Sequence, residues 1–145
     1  MTTINILTPG FTTPNGAAFL FPLIYYKNEL KKENITINFF YTFSTKIFGS
    51  DIIAIDSKFY KFLWKEESNK IFKELKTLRK ETKKIIFFDT TDSSGSINSK
   101  VLPFVDLYCK SQALKNRNNY KINFYGNRIY SDYYHKNFGV FDKDE

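Results

Sequence analysis

Short apolar runs alternate along the chain with longer segments of helical periodicity, and this alternation predicts a parallel α/β fold. Residues 4–7 form a first apolar strand that stops at the turn sequence Thr8-Pro9-Gly10. A helix follows, with Asn15 as its N-cap, because apolar residues from Phe19 to Leu30 recur at intervals of three or four. The chain is therefore predicted to open with a strand, a polar turn and a helix.

The later apolar runs differ in how completely they are expected to be buried. Residues 35–43 alternate between apolar and more polar positions, which predicts a strand with one partly exposed face. Residues 52–55 and 85–88 are continuously apolar, so both are predicted to be central strands covered by helices on both faces. The remaining predicted elements are a helical region, a fifth strand and a short helix, at residues 58–82, 105–109 and 110–118.

The composition is that of one folded domain. With 145 residues, of which 42% are hydrophobic and 19% aromatic, the chain can form a core and is too aromatic for a disordered protein. No apolar run approaches the ~20 residues of a membrane-spanning helix. The one cysteine, Cys109, excludes an internal disulfide, and a reducing cytoplasm is the predicted setting.

Positive charge is concentrated in one segment. Residues 58–84 carry ten Lys or Arg against four Glu, so they hold +6 of the formal net charge of +7. Such a segment predicts peripheral contact with an anionic membrane at its inner face, or else a solvated helix face. A nucleic acid fits less well as a partner, because Arg79 is the only arginine there and no nucleic-acid-reading motif is present.

Polar residues follow the first predicted strand, at the end where a parallel sheet binds its ligands. The segment from Gly10 to Gly16 contains Thr12 and Asn15 and leads into a helix, whose free N–H groups favour anions or polar oxygens. It matches neither the dinucleotide-binding motif nor the P-loop, so it indicates no specific nucleotide. An ordinary strand-to-helix turn is the alternative interpretation.

The loop after the fourth predicted strand contains two carboxylates and several hydroxyls. Asp92 is predicted to accept a hydrogen bond from a substrate hydroxyl or to act as a general base. Asp89 is a second catalytic candidate, or else it orients the loop, and Ser93 adds a hydroxyl for substrate binding. Two Asp residues do not by themselves specify a metal site, so no metal is predicted. The alternative is that these side chains only satisfy the turn.

The tail between residues 120 and 141 is rich in Tyr and Asn and has no assigned secondary structure. Its Arg128, Asp132 and His135 stand among aromatic residues, a combination that suits sugar rings or bases. A lone histidine is more often structural than catalytic, so His135 is assigned a binding role only. The complete set of candidates comprises Asp92 and Asp89 as catalytic residues, and Gly10, Thr12, Asn15, Gly16, Ser93, Arg128, Asp132 and His135 as substrate-binding residues.

The order of these segments resembles the N-terminal half of a GT-B glycosyltransferase, within a largely uncharacterised bacterial family. The matching stretches are LTPGFTTPNGAAFLFPL, IFFDTTDSSG, LPFVDLYCK and YGNRIYSDYYH, at residues 7–23, 86–95, 102–110 and 125–135. The resemblance implies a single Rossmann-like domain with a mostly parallel sheet flanked by helices. Such a domain is expected to bind a glycan or lipid-linked acceptor in cell-surface polysaccharide biosynthesis, without a metal or other cofactor.

In GT-B enzymes a second domain binds the sugar nucleotide, and this sequence ends at Glu145, where such a domain would begin. The resemblance therefore implies that residues 1–145 are one half of an enzyme, inactive alone, whose donor is bound by a missing domain or a partner protein. Two alternatives stay open. One is a non-enzymatic module that docks on a membrane or nucleic acid through residues 58–84. The other is a flavodoxin-like or nucleotide-binding protein that lacks a recognisable phosphate loop.

Overall fold

A parallel sheet forms the centre of the molecule in the computed structural model, which describes residues 1–141. Its strands are β1 (Thr2–Leu7), β2 (Ile35–Phe40), β3 (Ile52–Asp56), β4 (Ile85–Asp89) and β5 (Leu107–Lys110). All neighbouring strands pair in parallel, in the order β2-β1-β3-β4-β5. The predicted class, a single α/β domain with a parallel sheet flanked by helices, is confirmed, and the strand order is the flavodoxin-like one.

Within residues 1–141, five α-helices and several 3₁₀ segments lie between the strands or follow the last of them. The helices are α1 (Pro14–Tyr25), α2 (Lys27–Lys32), α3 (Leu63–Glu66), α4 (Ser68–Glu81) and α5 (Ile129–Phe138). The 3₁₀ segments are Gly10–Thr12, Thr45–Ile47, Ser57–Tyr60, Ser99–Phe104, Arg117–Lys121 and Tyr125–Asn127. In the described part of the chain, no helix is long and apolar enough to cross a membrane.

Two local predictions need correction. The N-cap of α1 is Thr13 and not Asn15, because the Thr13 side chain accepts the Gly16 N–H and Pro14 occupies the first helical position. The predicted short helix at residues 110–118 does not form, and the first element after β5 is the 3₁₀ segment Arg117–Lys121. Both errors arise where several polar residues compete for the same local role.

The larger core lies between α4 and one face of the sheet. Ile71, Leu75 and Leu78 are fully buried and lie three or four residues apart, so they form a single stripe along α4. They pack against buried side chains of β3 and β4, with Phe87 the largest of these. The lysines of α4 therefore lie on its solvated side, which explains how a helix with this much charge is anchored to the sheet.

The second face of the sheet is covered less completely. Helix α1 packs over β1 and β3, where Leu20 is fully buried, and Phe19 reaches across to contact Phe88 with ring centroids 4.9 Å apart. Strand β4 was expected to be buried on both faces, but its residues alternate between buried and half-buried. On β5, Leu107 remains 48% exposed. Beyond Phe88, the second face of these two strands is thus only partly covered.

The segment before α5 is held against the loop that follows β4, and Gly95 makes this approach possible. A Cβ atom on Gly95 would lie 2.8 Å from the Asn127 carbonyl oxygen and 3.0 Å from the Phe124 ring. We expect Gly95→Ala to lower the free energy of unfolding by about 1–3 kcal/mol, since the clash is with backbone. Urea denaturation tests this, with the exposed position Ser99→Ala as control. Equal midpoints for the two variants would contradict it.

Candidate functional site

The carboxyl ends of the central strands carry a buried polar network centred on Asp56, the last residue of β3. The Asp56 carboxylate is fully buried and accepts hydrogen bonds from Thr8 Oγ1 at 3.2 Å, Thr90 Oγ1 at 3.0 Å and the Lys58 N–H at 3.0 Å. The sequence prediction missed Asp56. Its signal was the same as that of Asp89, since each is an aspartate that ends an apolar strand.

The loop from Gly10 to Gly16 lies over Asp56. Gly10 has a φ of +73°, a conformation that favours glycine, and its N–H donates to Thr8 Oγ1 at 3.2 Å. A Cβ atom on Gly16 would lie 3.4 Å from Asp56 Oδ2, so the first turn of α1 packs directly on this carboxylate. Thr12 is exposed and donates to the Pro9 carbonyl oxygen at 3.3 Å. These residues complete the turn around Asp56.

Asp89, the last residue of β4, forms a buried ion pair with Lys110 at the end of β5. The two charged atoms are 3.0 Å apart, and each side chain is only 4% exposed. The Asp89 carboxylate also accepts hydrogen bonds from Tyr108 Oη at 2.6 Å and from Thr91 Oγ1 at 2.5 Å. Burial alone raises the pKa of Asp89, but these hydrogen bonds and the Lys110 charge outweigh it and lower the pKa overall. Asp89 is thus a stable anion.

Asp92 is exposed and lies in a different place from Asp89. The Asn15 side-chain amide donates to Asp92 Oδ1 at 2.6 Å and to the Thr90 carbonyl oxygen at 2.8 Å, so it joins α1 to the loop after β4. Asp92 and Asn15 line a hollow of about 370 Å³, to which Asp89 does not contribute. The structure therefore brings Asn15 and Asp92 together, as expected, but separates the two predicted catalytic carboxylates. Their catalytic roles stay predictions.

The remaining predicted residues stabilise the end of the chain. Asp132 accepts the Tyr125 N–H at 3.0 Å, and His135 stacks on the Tyr125 ring with centroids 3.9 Å apart. Arg128 donates to the Tyr130 hydroxyl at 2.8 Å. Ser93 Oγ donates to the carbonyl oxygen of Asn127, which ties the loop after β4 to the turn before α5. Binding roles for these residues likewise stay predictions.

A cavity of about 420 Å³ lies beside the ends of β3 and β4. Four segments build its walls: the 3₁₀ segment after β3 with α3, the end of β4, the loop after β4 with the 3₁₀ segment that follows it, and Asn127 in the turn before α5. Its main polar and aromatic lining residues are Ser57, Lys58, Lys61, Trp64, Asp89, Thr91, Ser96, Asn98 and Lys100. Most of these were not predicted, because Lys58, Lys61 and Trp64 look like ordinary residues of a basic helix.

The cavity is electropositive. Lys58, Lys61 and Lys100 all line it, and none of the salt bridges within residues 1–141 involves any of them. Asp89 is the one carboxylate among the lining residues, and its charge is balanced by Lys110. Across residues 1–141, no cluster of three or more His, Cys, Asp or Glu side chains is placed to hold a metal ion.

Comparisons with known proteins give little beyond the fold. No family model matches the chain, and no curated protein matches it. Among solved structures, the chain is similar to a response regulator receiver protein from Burkholderia phymatum. The two are 14% identical and superpose with a TM-score of 0.46 over 77% of this chain and 83% of that chain. A likeness at this level says nothing about the function of this chain.

The glycosyltransferase resemblance is wrong. The structural match is to a receiver protein and not to a GT-B domain. The strand order gives the physical reason, because β3 lies beside β1, whereas the classic Rossmann order places the third strand outside the second. The glycan or lipid-linked acceptor, the second-domain partner and the role in polysaccharide biosynthesis are withdrawn with it. Docking of residues 58–84 on a membrane or nucleic acid gains no support either. A location at the inner face of a membrane is likewise not shown.

Proposed function

We propose that this domain binds a small anionic molecule that carries a planar ring, with a nucleotide as the best-fitting chemical class, in the 420 Å³ cavity. The observation that carries the proposal is an aromatic wall at the carboxyl end of a parallel sheet together with three lysines that form no salt bridge within residues 1–141. The volume lies within the ~300–1,000 Å³ range of small-molecule sites.

The lysines supply the attraction for phosphate groups. An ammonium group is a point charge with three rotatable donors, so it binds phosphate oxygens without demanding one geometry. Lys58 lies in the 3₁₀ segment after β3 and Lys100 in the 3₁₀ segment Ser99–Phe104, so the charges stand on different segments around the cavity. Because Lys110 already neutralises Asp89, no free negative charge in the cavity lining opposes a bound anion.

Trp64 supplies a surface for the ring. Its indole contacts the rings of Tyr60 and Phe72 edge to face, with centroids 6.4 Å and 5.9 Å away. These contacts hold the indole in place before a ligand arrives, which reduces the ordering cost of binding. Asn98 and Ser57 add an amide and a hydroxyl for the polar edge of a base or ribose.

Trp64 also makes the proposal testable, because it is the only tryptophan in the chain. Titration with ATP or GTP should change its fluorescence in a saturable way, whereas adenosine without phosphates should bind much more weakly. Lys58→Gln should raise the dissociation constant about tenfold or more, as expected for loss of a charge-assisted hydrogen bond. Lys73→Gln on the outer face of α4 is the control, since it removes a charge outside the cavity.

The proposal fails if neither nucleotide changes the Trp64 signal. It also fails if Lys73→Gln weakens binding as much as Lys58→Gln, because the attraction would then be diffuse and not local. Pyrophosphate distinguishes the two parts of the ligand, since it should compete with ATP while leaving the Trp64 signal nearly unchanged.

We also infer a cytoplasmic location, from the single cysteine and from the presence of nucleotides in that compartment.

A further inference from the structure

Helix α5 turns its apolar side towards solvent. Its buried residues are the polar Ser131 and Asp132. The aromatic residues of the helix are between 51% and 64% exposed and fall on one side at spacings of three or four: Tyr130, Tyr133, Tyr134 and Phe138. An amphipathic helix in a folded domain normally faces its apolar stripe to the core. The aromatic stripe of α5 is therefore not packed against the core, as an apolar stripe normally is.

A second apolar surface of the same chain is also poorly covered. On the second face of the sheet, Ile86 lies beside Leu107 and Phe88 beside Cys109, so these four side chains form an apolar strip across β4 and β5. Three of them are half-buried, and Leu107 is exposed. Parallel sheets usually have both faces covered by helices, because their strands are apolar on both sides.

The strip is bordered by a helix on one side and lies at the edge of the sheet on the other. Helix α1 flanks it on one side, since Phe19 contacts Phe88. At the carboxyl ends of β4 and β5 the strip reaches the hollow of about 370 Å³, which is lined by Ala18 and Phe19 of α1 and by Ser111 just after β5. Helices that lie in apolar grooves use anchors at the spacing found in α5.

We propose that two copies of this chain associate by placing α5 of each on the β4–β5 strip of the other. A single chain carries both the helix stripe and the apolar strip, so a twofold pairing covers both on each copy. Within one chain, α5 is held elsewhere, because Asp132 accepts the Tyr125 N–H and Ser93 donates to Asn127 in the preceding turn. This pairing is independent of the ligand proposed for the 420 Å³ cavity.

The available area is sufficient for a stable dimer. An aromatic side chain has about 200 Å² of surface, and the four on α5 are each more than half exposed. Two such helices offer about 900 Å² and the strips that they cover add less, so the pairing would bury roughly 1,200 Å², which is the lower limit of a standard specific interface. The pairing therefore commits to a second copy of this chain as the occupant of the strip.

The first experiment measures the molar mass of the full chain by sedimentation over a range of concentrations. We expect a dimer that Tyr134→Glu and Leu107→Glu each weaken about thirtyfold or more, since both put a charge into the centre of the interface. Phe62→Glu is the control, because Phe62 is an exposed aromatic residue that belongs to neither surface. A monomer at all concentrations, or a dimer that both variants leave intact, would overturn the proposal.

A second experiment identifies the contact itself. Tyr134→Cys is combined with Cys109→Ser, mixed with the wild-type chain and oxidised; a disulfide between the two chains is expected. Lys27→Cys with Cys109→Ser is the control and should not cross-link. In the single variant Tyr134→Cys, a disulfide formed within one chain and no dimer would show that α5 covers its own strip, and would refute the pairing between copies.

Discussion

Replacing Lys110 by Met will lower the free energy of unfolding by about 3–5 kcal/mol, because the buried Asp89 carboxylate loses its partner charge. Both side chains are only 4% exposed, so the unpaired carboxylate would have little contact with water in place of the ammonium group. Tyr108 and Thr91 still donate to Asp89, but they carry no charge. Chemical denaturation at neutral pH measures the loss directly, and the thermal midpoint should fall by roughly 10 °C or more.

Two controls separate the buried ion pair from the general effect of removing a lysine. Lys136→Met breaks a pair with Asp132 in which the Lys136 side chain is 62% exposed, and should cost at most about 1 kcal/mol. The double variant Asp89→Leu, Lys110→Met should recover much of the loss, because no unpaired charge remains in the interior. If Lys110→Met is as mild as Lys136→Met, the pair does not stabilise the fold.

The ion pair also predicts how stability depends on pH. The folded state lowers the pKa of Asp89 because three hydrogen bonds and the Lys110 charge together outweigh the effect of burial. An aspartate with a lowered pKa stabilises the fold above its unfolded value of ~3.9, and this contribution disappears as the pH falls through the folded value. The stability difference between the wild type and the double variant should therefore shrink below about pH 4.

Asp56→Ala will cost about 3 kcal/mol, because it removes one fully buried acceptor from three donors at once. The Thr8 and Thr90 hydroxyls and the Lys58 N–H would be left without their carboxylate, beneath the first turn of α1. Asp56→Asn should cost only about 1 kcal/mol, since its amide oxygen still accepts and Thr8 Oγ1 can accept from its nitrogen. Urea denaturation of the two variants measures the difference.

Asp92→Asn provides the matched control for Asp56, because Asp92 is an exposed aspartate in the neighbouring loop. It should change stability by less than about 0.5 kcal/mol, as expected for an exposed substitution. Asp56→Ala should in addition weaken nucleotide binding, since the Lys58 backbone would no longer be fixed beside the cavity. Equal stabilities of Asp56→Ala and Asp92→Asn would show that the network contributes nothing.

The central strands were predictable from sequence because a buried strand requires a continuous run of apolar residues, and such a run is a local feature of the sequence. The runs at residues 52–55 and 85–88 are central parallel strands, as expected, since only a strand inside a sheet suits so short a continuous apolar segment. Asn15 and Asp92 were both nominated, and they do meet, because the carboxyl ends of parallel strands converge at one edge.

The cavity was not predictable in the same way. In the sequence, the basic pattern of residues 58–82 predicts one helical region that contains Lys58, Lys61 and Trp64. In the structure, this region is broken between the 3₁₀ segment and α3, and these side chains line a cavity with Asp89 and the loop after β4. The glycosyltransferase resemblance failed for a related reason. It relied on strand–turn–helix segments that many α/β proteins share, whereas the strand order depends on how the crossovers pair over the whole chain.

The sequence by itself determined the parallel sheet, the inward stripe of α4 and the polar edge where the strands end, because each depends on residues close together in the chain. Only the tertiary structure decided that Asp89 is paired with Lys110 and that three lysines line one cavity with Trp64. It also decided that α5 exposes its aromatic side, since the contacts of Asp132 with the preceding turn orient the helix. These features depend on contacts between distant segments, and hydrophobic periodicity carries no information about such contacts.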